Sequence, residues 1–265
     1  MSEVCHEMFD NSLSALSHIM LDEMESIKLM NRVDTKYLTD EAHLKEILAD
    51  AAKIGYRVLE KDGRRTDNYV SIYFDTDDLR MFMDHHNCRL VRQKVRTREY
   101  VISGDVFLEI KRKNNKGRTN KKRIEISRNE MMDFHQDDKA CDYLAEKSWF
   151  HAEQIKPVIE TSFTRITLVN AAKTERLTID TNILFRNFRT ERTTSLQDVV
   201  IIELKQDGRA ESQMKRILIN RRVKPMRISK FCVAVTLTDP NVKSGRFKRK
   251  IRAIEKIINK RITVQ

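Results

Sequence analysis

The sequence predicts an α+β fold: a closed antiparallel β tunnel of about eight strands, with a polar basic lumen and helices packed on its exterior. Two observations favour this fold. Short segments rich in β-branched and aromatic residues recur along the chain between turn signals. In at least six of these segments charged residues, mainly Lys and Arg, alternate with apolar residues, which puts the cations on one face of each strand.

The predicted elements follow one another with few interruptions, and the glycines fall where turns are expected. A helical stretch is predicted at the N-terminus, before the first strand. Thr39 or Asp40 caps the next predicted helix, which stops at Gly55. Strands are predicted at 31–38, 56–60, 68–76, 88–102, 105–113, 121–127, 158–169, 175–181 and 199–206. Helices are predicted at 41–54, 77–86, 128–150, 210–221, 229–237 and 245–261.

The alternating charges on these strands are the most informative pattern. A sheet with its polar face in water is the plain interpretation of one or two such strands. Like charges that face each other across strands are destabilising unless an anion neutralises them, and closing the sheet would gather the cations around one anion path. The charged faces comprise Asp34 and Lys36; Arg92, Lys94, Arg96 and Arg98; Glu109, Lys111 and Lys113; Lys121, Arg123 and Glu125; Arg176, Thr178 and Asp180; and Glu203 and Lys205.

The composition points to an anionic partner. The chain has 51 Lys and Arg against 39 Asp and Glu, a net charge of +12, which suits nucleic acid, a phosphate chain or a membrane surface. Neither a Walker-type nor a GxGxxG loop is present, so phosphate binding would have to use side chains. Clustered aromatic residues for base stacking are scarce, which disfavours an RNA-binding protein and predicts no sequence-specific nucleic acid partner.

The organisation is interpreted as one domain over 1–265 with a core at about 27–237, followed by a basic amphipathic helix in 243–265. This last segment carries apolar residues at helical spacing, and two uses for them stay open. The stripe packs on the exterior of the tunnel, or the helix lies on an anionic membrane or on polyphosphate. The stripe consists of Phe247, Ile251, Ile254 and Ile258.

The expected location is cytoplasmic. No run of apolar residues reaches the roughly 18 needed for a transmembrane helix, and the first residues show no secretory signal. The four cysteines lie far apart without a CxxC pair, which predicts reduced, buried thiols.

The order of the segments resembles the triphosphate tunnel metalloenzymes, and within them the polyphosphate polymerase domain of the vacuolar transporter chaperone (VTC) family. The resemblance covers about residues 27–237. It is carried by RVDTKY (32–37), SIYFDTDDLRMF (71–82), KVRTRE (94–99), FLEIKRK (107–113), PVIETSFTRI (157–166), ERLTIDTNI (175–183), IIELK (201–205) and PMRISKF (225–231).

The resemblance implies roles for individual residues. Glu203 matches the carboxylate that holds the divalent metal, Mn²⁺ or Mg²⁺. The residues expected to act in catalysis, by binding the reacting phosphates, are Lys36, Arg96, Arg98, Lys111, Arg165, Arg176, Arg227 and Lys230. The wider phosphate-binding set adds Arg123, Lys205 and Ser229.

The resemblance implies a polymerase that transfers the γ-phosphate of ATP to a growing polyphosphate chain. Arg32 and Asp34 stand where the tunnel triphosphatases carry the two glutamates of ExExK, which favours the polymerase branch. Phe163 stands where the polymerases can carry a tyrosine, and Arg227 where they carry a lysine. A metal-dependent inorganic or nucleoside triphosphatase in the same tunnel and a non-catalytic polyphosphate- or nucleotide-binding module are the alternatives.

The remaining strand carboxylates have two possible roles. Glu109, Glu125 and Asp180 could ligate metal or position water, or they could pair with neighbouring arginines.

Overall fold

The computed structural model describes residues 11–25, 32–208 and 211–265. Its strands are β1 (Ser17–Ile19), β2 (Arg32–Asp40), β3 (Arg57–Leu59), β4 (Asp67–Asp75), β5 (Arg92–Tyr100), β6 (Val106–Lys113), β7 (Thr119–Ile126), β8 (Lys156–Val169), β9 (Glu175–Asn187), β10 (Thr193–Leu196) and β11 (Val199–Asp207). Its helices are α1 (Leu21–Glu25), α2 (Glu41–Lys53), α3 (Arg80–His86), α4 (Asp138–Lys147), α5 (Gln213–Asn220), α6 (Lys230–Thr238) and α7 (Gly245–Ile257).

Most predicted elements are present with small shifts at their ends. The segment 128–150, predicted as one helix, differs most: it is a short 3₁₀ turn at Arg128–Glu130 followed by an irregular stretch and then α4. Asp137 explains where α4 begins, because its side chain accepts a hydrogen bond from the backbone N–H of Ala140 at 3.2 Å and caps the helix.

The strands form one large sheet in the order β2-β11-β9-β8-β4-β5-β6-β7, and every neighbour on this path is antiparallel. The short strands β1, β3 and β10 attach at its sides. The long strands β8 and β9 shift register between Ser162 and Thr164, and Asn182, at the same place in β9, has a positive φ of 52°. Such a bulge bends a strand and increases its twist, which curls the sheet.

The prediction of a closed tunnel needs one correction, because hydrogen bonds do not close the sheet. The path runs from β2 to β7 and, in the ranges that the structure describes, these two end strands do not pair with each other. A loop lies along the free edge of β2 instead. Pro225 forms an isolated bridge with Tyr37, and the N–H of Met226 donates to the carbonyl of Lys36 at 2.8 Å.

Three helices cover the outer face of the sheet, as predicted. Leu44 and Leu48 of α2 and Leu218 of α5 pack together against Ile202 of β11, and all four are fully buried. Helix α4 packs in the same way against β6 and β7. The apolar residues of the alternating strands therefore face helices, and the charged residues face the opposite side.

Helix α6 departs from this arrangement, because it packs against the charged inner side of the sheet. It is apolar all round, and residues 231–235 are all buried, as expected for a helix without a solvent face. The ring of Phe231 stacks on Tyr73 at 5.1 Å between centroids and lies 5.9 Å from the ammonium of Lys94. The sequence predicted this helix but placed it on the exterior.

The apolar stripe of helix α7 packs against the rest of the protein. Phe247 and Ile254 are buried at 2% and 0% exposure, and Ile251 and Ile258 pack against the same cluster. The stripe is thus covered by the body of the protein, and a peripheral membrane contact stays a prediction that would have to use the basic face of α7.

None of the helices in the described residues is both long and apolar enough to cross a membrane. Cys88, Cys141 and Cys232 are free thiols, and Cys5 lies outside the described residues. The prediction that the thiols are buried is correct for Cys232 and wrong for Cys88, which is exposed, and Cys141 is half-buried.

Candidate functional site

The charged faces of the strands meet in one cavity of about 1220 Å³ on the inner side of the sheet. Thirteen lysines and arginines and four acidic residues line it, an excess of nine positive charges. The cations are Lys36, Arg92, Lys94, Arg96, Arg98, Lys111, Lys113, Arg118, Lys121, Arg165, Arg176, Lys205 and Lys230, and the acids are Asp34, Glu109, Asp180 and Glu203.

Ten of the twelve residues predicted for the site line this cavity, namely Lys36, Arg96, Arg98, Lys111, Arg165, Arg176, Glu203, Lys205, Ser229 and Lys230. The other two, Arg123 and Arg227, do not. Arg123 lies on the edge strand β7, where its guanidinium covers the ring of Phe107 at 4.2 Å and donates to the hydroxyl of Tyr100 at 3.3 Å. Arg227 is exposed in the loop before α6.

Glu109 holds two of the lining cations. Arg96 donates to one carboxylate oxygen from Nε at 2.8 Å and from Nη2 at 2.6 Å, and Lys121 forms an ion pair with the other oxygen. Burial alone would raise the pKa of Glu109, but Arg96, Arg98 and Lys121 outweigh it and bring the pKa to about 2. Glu109 is therefore ionised at neutral pH and positions two cations.

Asp180 does the same on the opposite wall. Arg165 lies directly across from it in the β8–β9 ladder and binds it with both ends of its guanidinium, Nε to Oδ1 at 2.6 Å and Nη2 to Oδ2 at 2.9 Å. Lys230, the first residue of α6, also donates to Oδ2. Burial raises the pKa of Asp180, yet Arg165 and Lys230 hold it well below its usual range.

The structure thus decides the role of two ambiguous carboxylates, because Glu109 and Asp180 pair with cations. Glu125 is exposed and does not line the cavity.

Glu203 is held less tightly. Its carboxylate oxygens lie 3.6 Å from the ammonium of Lys36 and 3.7 Å from that of Lys205, which is longer than a hydrogen bond. Burial raises the pKa of Glu203, but Lys36, Lys205 and Lys111 bring it to about 2. Both oxygens are charged and have room to accept a ligand.

The carboxylates of the cavity fit a divalent cation that is held by one carboxylate together with substrate phosphates. Within the described ranges no three His, Cys, Asp or Glu side chains come together to hold a metal by themselves. Mg²⁺ and Mn²⁺ prefer oxygen ligands, and Mg²⁺ in particular is commonly held by one or two carboxylates together with substrate phosphates and water. Glu203 fits that role, whereas Glu109 and Asp180 already have their oxygens bonded to cations.

Arg98 is a buried cation of another kind, with 6% exposure. Its Nε donates to the hydroxyl of Ser71 at 2.9 Å, and its guanidinium lies 5.3 Å from the ring of Tyr69 and 5.6 Å from that of Phe163. Burial, together with the charges of Arg96 and Arg165, lowers the pKa of Arg98 to about 10. Its two terminal nitrogens are available to phosphate oxygens, which match the planar fork of arginine.

Tyr73 is a lining residue that the sequence analysis missed. Its hydroxyl accepts from Nη1 of Arg96 at 3.0 Å. Burial would raise the pKa of Tyr73, but the cations around it, led by Arg96, Arg98 and Lys94, bring the pKa to about 7. Its position two residues from Ser71 and four from Tyr69 is a period-two signal. That signal is obscured because residues 71–75 are all buried, on both faces of β4.

Solved structures of other proteins are similar to this chain in fold. A crystal structure of a candidate adenylate cyclase from Bacillus halodurans is similar to this chain with a TM-score of 0.51 and 16% identity, covering 83% of this chain and 100% of that one. A candidate adenylyl cyclase from Hippeastrum, described as having a dominant triphosphatase activity, gives a TM-score of 0.49 and 14% identity over 76% of this chain and 94% of its own. A search of curated proteins finds no match.

The Bacillus halodurans likeness, at this identity, concerns the fold alone, and it agrees with the α+β tunnel architecture predicted from the sequence. The assignment to a family comes from the sequence model of the VTC domain, which matches residues 31–238. That range contains every strand of the main sheet path, and it ends at the last residue of α6. The chain belongs to the VTC domain family.

Proposed function

We propose that this chain is a polyphosphate polymerase that transfers the γ-phosphate of ATP to the end of a growing polyphosphate chain inside the basic cavity. The observation that carries the proposal is the cavity lining: thirteen cations, several placed by carboxylates, line one cavity. Phosphoryl transfer needs in-line positioning and neutralisation of charge rather than a protein nucleophile. The cavity offers both.

The transfer step follows from this chemistry. A terminal phosphate oxygen of the chain attacks the γ-phosphorus of ATP, the bond from that phosphorus to the bridging β-oxygen breaks, and ADP leaves with the electron pair. The chain grows by one phosphate. Arg98 and Lys111 would bind equatorial oxygens of the transferred group, and Arg96 and Arg165, fixed by Glu109 and Asp180, would keep the chain in line.

The lining carboxylates are weak bases, which supports transfer to a phosphate acceptor rather than hydrolysis by water. A general base that activates water works best with a pKa near the working pH. Glu109 and Glu203 have pKa values of about 2, and that of Asp180 is held below its usual range. A phosphate-chain oxygen is already deprotonated and needs no such base, so these weak bases suit a phosphate acceptor.

Glu203 is proposed to hold Mn²⁺ or Mg²⁺ together with phosphate oxygens. Such a cation, when bound, would neutralise charge that develops on the phosphates. Lys36 and Lys205 flank Glu203 and would bind the same phosphates as point charges.

The test is to incubate the purified protein with ATP and Mn²⁺ and to measure polyphosphate, ADP and free phosphate. We expect polyphosphate and ADP in matching amounts. ADP with free phosphate and no polymer would assign the cavity to a triphosphatase. Tight binding of polyphosphate without any product would assign it to a binding module.

The matched variants are Glu203→Gln and Glu125→Gln. Glu203→Gln should lower turnover by about 10²- to 10³-fold, the size of effect seen when one group that stabilises transition-state charge is lost. Polyphosphate binding without metal should persist, and Mn²⁺ binding measured in the presence of triphosphate should weaken. Glu125 is an exposed strand glutamate outside the cavity lining, so its variant should behave as wild type. Full turnover by Glu203→Gln would refute the metal assignment.

A further inference from the structure

One end of the cavity carries two like-charged pairs side by side. In the β5–β6 ladder, Arg92 lies directly opposite Lys113 and Lys94 lies opposite Lys111, and all four line the cavity. Directly opposed side chains are about 5 Å apart, and residues two apart on a strand are separated by about 7 Å. Like charges so close together destabilise a sheet unless an anion lies between them.

These cations differ in what compensates them from the lining cations that are paired with Glu109, Asp180 and Glu203. The next pair in the same ladder, Arg96 and Glu109, is an ion pair. In the described stretches of the chain, by contrast, no carboxylate oxygen lies within 4.0 Å of the side-chain nitrogens of Arg92, Lys94 or Lys113. Lys94 donates instead to the hydroxyl of Ser229 at 2.6 Å. Arg92 donates to the backbone carbonyl of Arg89, also at 2.6 Å.

His85, at the end of α3, completes this region without adding negative charge. It lines the cavity, and its Nδ1 is buried without a hydrogen-bond partner. Burial and the nearby charges of Lys94, Arg92 and Lys250 lower the pKa of His85 to about 2, so the ring is neutral. We call His85, Arg92, Lys94 and Lys113 the mouth cluster, since Arg92 begins β5 and Lys113 ends β6 at this end of the cavity.

We infer that the mouth cluster is a second phosphate-binding subsite, which binds phosphates of the chain that lie beyond the reacting ones. The identity of that chain as polyphosphate rests on the proposed function, whereas the existence of the subsite rests on its uncompensated cations. The rings that contact the cluster, Phe231 under Lys94 and Phe247 beside His85, are buried at 1% and 2%. A linear phosphate chain fits this surface better than a nucleic acid, whose bases would need exposed rings to stack on.

The inference has a measurable consequence. A triphosphate is held by the interior of the cavity, whereas a longer chain also reaches the mouth cluster. Affinity should therefore rise with chain length. Removing mouth charges should affect long chains alone and should reduce the salt dependence of their binding, because fewer counterions are released.

The experiment compares two double variants that each remove two positive charges. Arg92→Gln with Lys113→Gln alters the mouth cluster. Arg112→Gln with Lys122→Gln alters exposed residues on the other face of β6 and of its neighbour β7, and serves as the control. Binding of triphosphate, of a long polyphosphate and of single-stranded RNA is measured without ATP over a range of salt concentrations, so that catalysis plays no part.

We expect the mouth variant to bind long polyphosphate about tenfold more weakly and to bind triphosphate within about twofold of wild type. Its salt slope should fall by about 1.4, which is about 0.7 for each of two lost contacts. The control should retain wild-type affinity for both. Equal losses for triphosphate and long chains, no loss for either, or a loss for RNA as large as that for polyphosphate would overturn the inference. Length-dependent binding without any polymerase activity would refute the proposed function and leave the subsite standing.

A second measurement guards against misfolding. Because the mouth pairs repel each other in the free protein, the mouth variant should unfold at the same temperature as wild type or at a higher one. A lower unfolding temperature would show that these side chains stabilise the fold, which contradicts a cluster that awaits an anion.

Discussion

In the interior of the cavity each of three carboxylates forms ion pairs with two cations. In the mouth cluster, by contrast, Lys94 donates to a hydroxyl and Arg92 donates to a backbone carbonyl. Glu109 and Asp180 fix where their four cations point before any ligand arrives, and Glu203 lies between Lys36 and Lys205 at longer distances. Among the residues that the structure describes, the cations of the mouth cluster have no carboxylate within 4.0 Å, and they repel each other. The difference indicates a division of roles: the interior is preorganised for geometry, and the mouth provides attraction for additional negative charge.

Breaking an interior cluster should have the largest effect on stability. Asp180→Asn leaves Arg165 and Lys230, which are both mostly buried, without the anion that they share. Removal of one partner of a buried ion pair costs about 3–5 kcal/mol. The free energy of unfolding, measured by denaturant titration, should fall by that amount. Asp198→Asn is the control, because Asp198 forms a half-exposed pair with Lys260 and its loss should cost under about 1 kcal/mol. Equal effects of the two substitutions would contradict the buried cluster.

The same cluster predicts how stability depends on pH. The folded-state pKa of Asp180 is below its ordinary value of 3.8 because Arg165 and Lys230 outweigh the opposing effect of burial. The stabilisation is therefore complete above about that pH and is lost as the pH falls below it. Asp180→Asn should flatten the acid limb of the stability curve in urea titrations. An unchanged acid limb would show that other carboxyls dominate it.

A titration of Tyr73 would sharpen the comparison by reporting on the cations directly. Tyrosinate absorbance in the free protein should show one group with a midpoint of about 7, absent in Tyr73→Phe. Triphosphate should move that midpoint upward, because the bound phosphate neutralises Arg96 and Lys94. Because the folded-state pKa lies below the ordinary value of 10, the stability that this group adds is complete above pH 10 and is lost as the pH falls through about 7.

The control for this titration is Tyr69→Phe. Burial raises the pKa of Tyr69 to about 12, so its removal should leave the midpoint near 7 in place. A wild-type protein with no titration near neutral pH would mean that the cations around Tyr73 are weaker than the geometry implies.

The smallest expected effect tests the link between the mouth and the interior. Ser229 caps α6, whose first residue, Lys230, belongs to the Asp180 cluster, and its hydroxyl also accepts from Lys94 of the mouth cluster. Ser229→Ala should lower the free energy of unfolding by about 1 kcal/mol, as for the loss of a helix cap. Ser229→Thr keeps the hydroxyl and should restore most of it. No change with alanine would mean that the cap and the Lys94 bond contribute nothing.

The strand alternation predicted much of this site. Arg92, Lys94, Arg96 and Arg98 share one face of β5 and all line the cavity, because side chains alternate strictly along an unbroken strand. The same rule placed Arg123 on the correct face of β7, but it carries no information that β7 is the last strand of the path, where a side chain reaches solvent.

Other features depend on the tertiary fold and leave no local pattern. The pairing of Asp180 with Lys230 joins residues 50 positions apart. The inward position of α6 follows from an all-round apolar helix, whose sequence shows that it is buried but not on which side of the sheet. Arg227 lies in a loop, where no periodicity indicates which way a side chain points.

The missing ladder between β2 and β7 has a consequence for the width of the passage. In a barrel closed by hydrogen bonds, strand number and shear fix the diameter. Here the loop of Pro225 and Met226, rather than another strand, lies along the edge of β2. The bore is therefore determined by side-chain packing around α6. The bore thus depends on the volume of Phe231, which stacks on the lining residue Tyr73, and substitutions at Phe231 would change the bore without altering any strand.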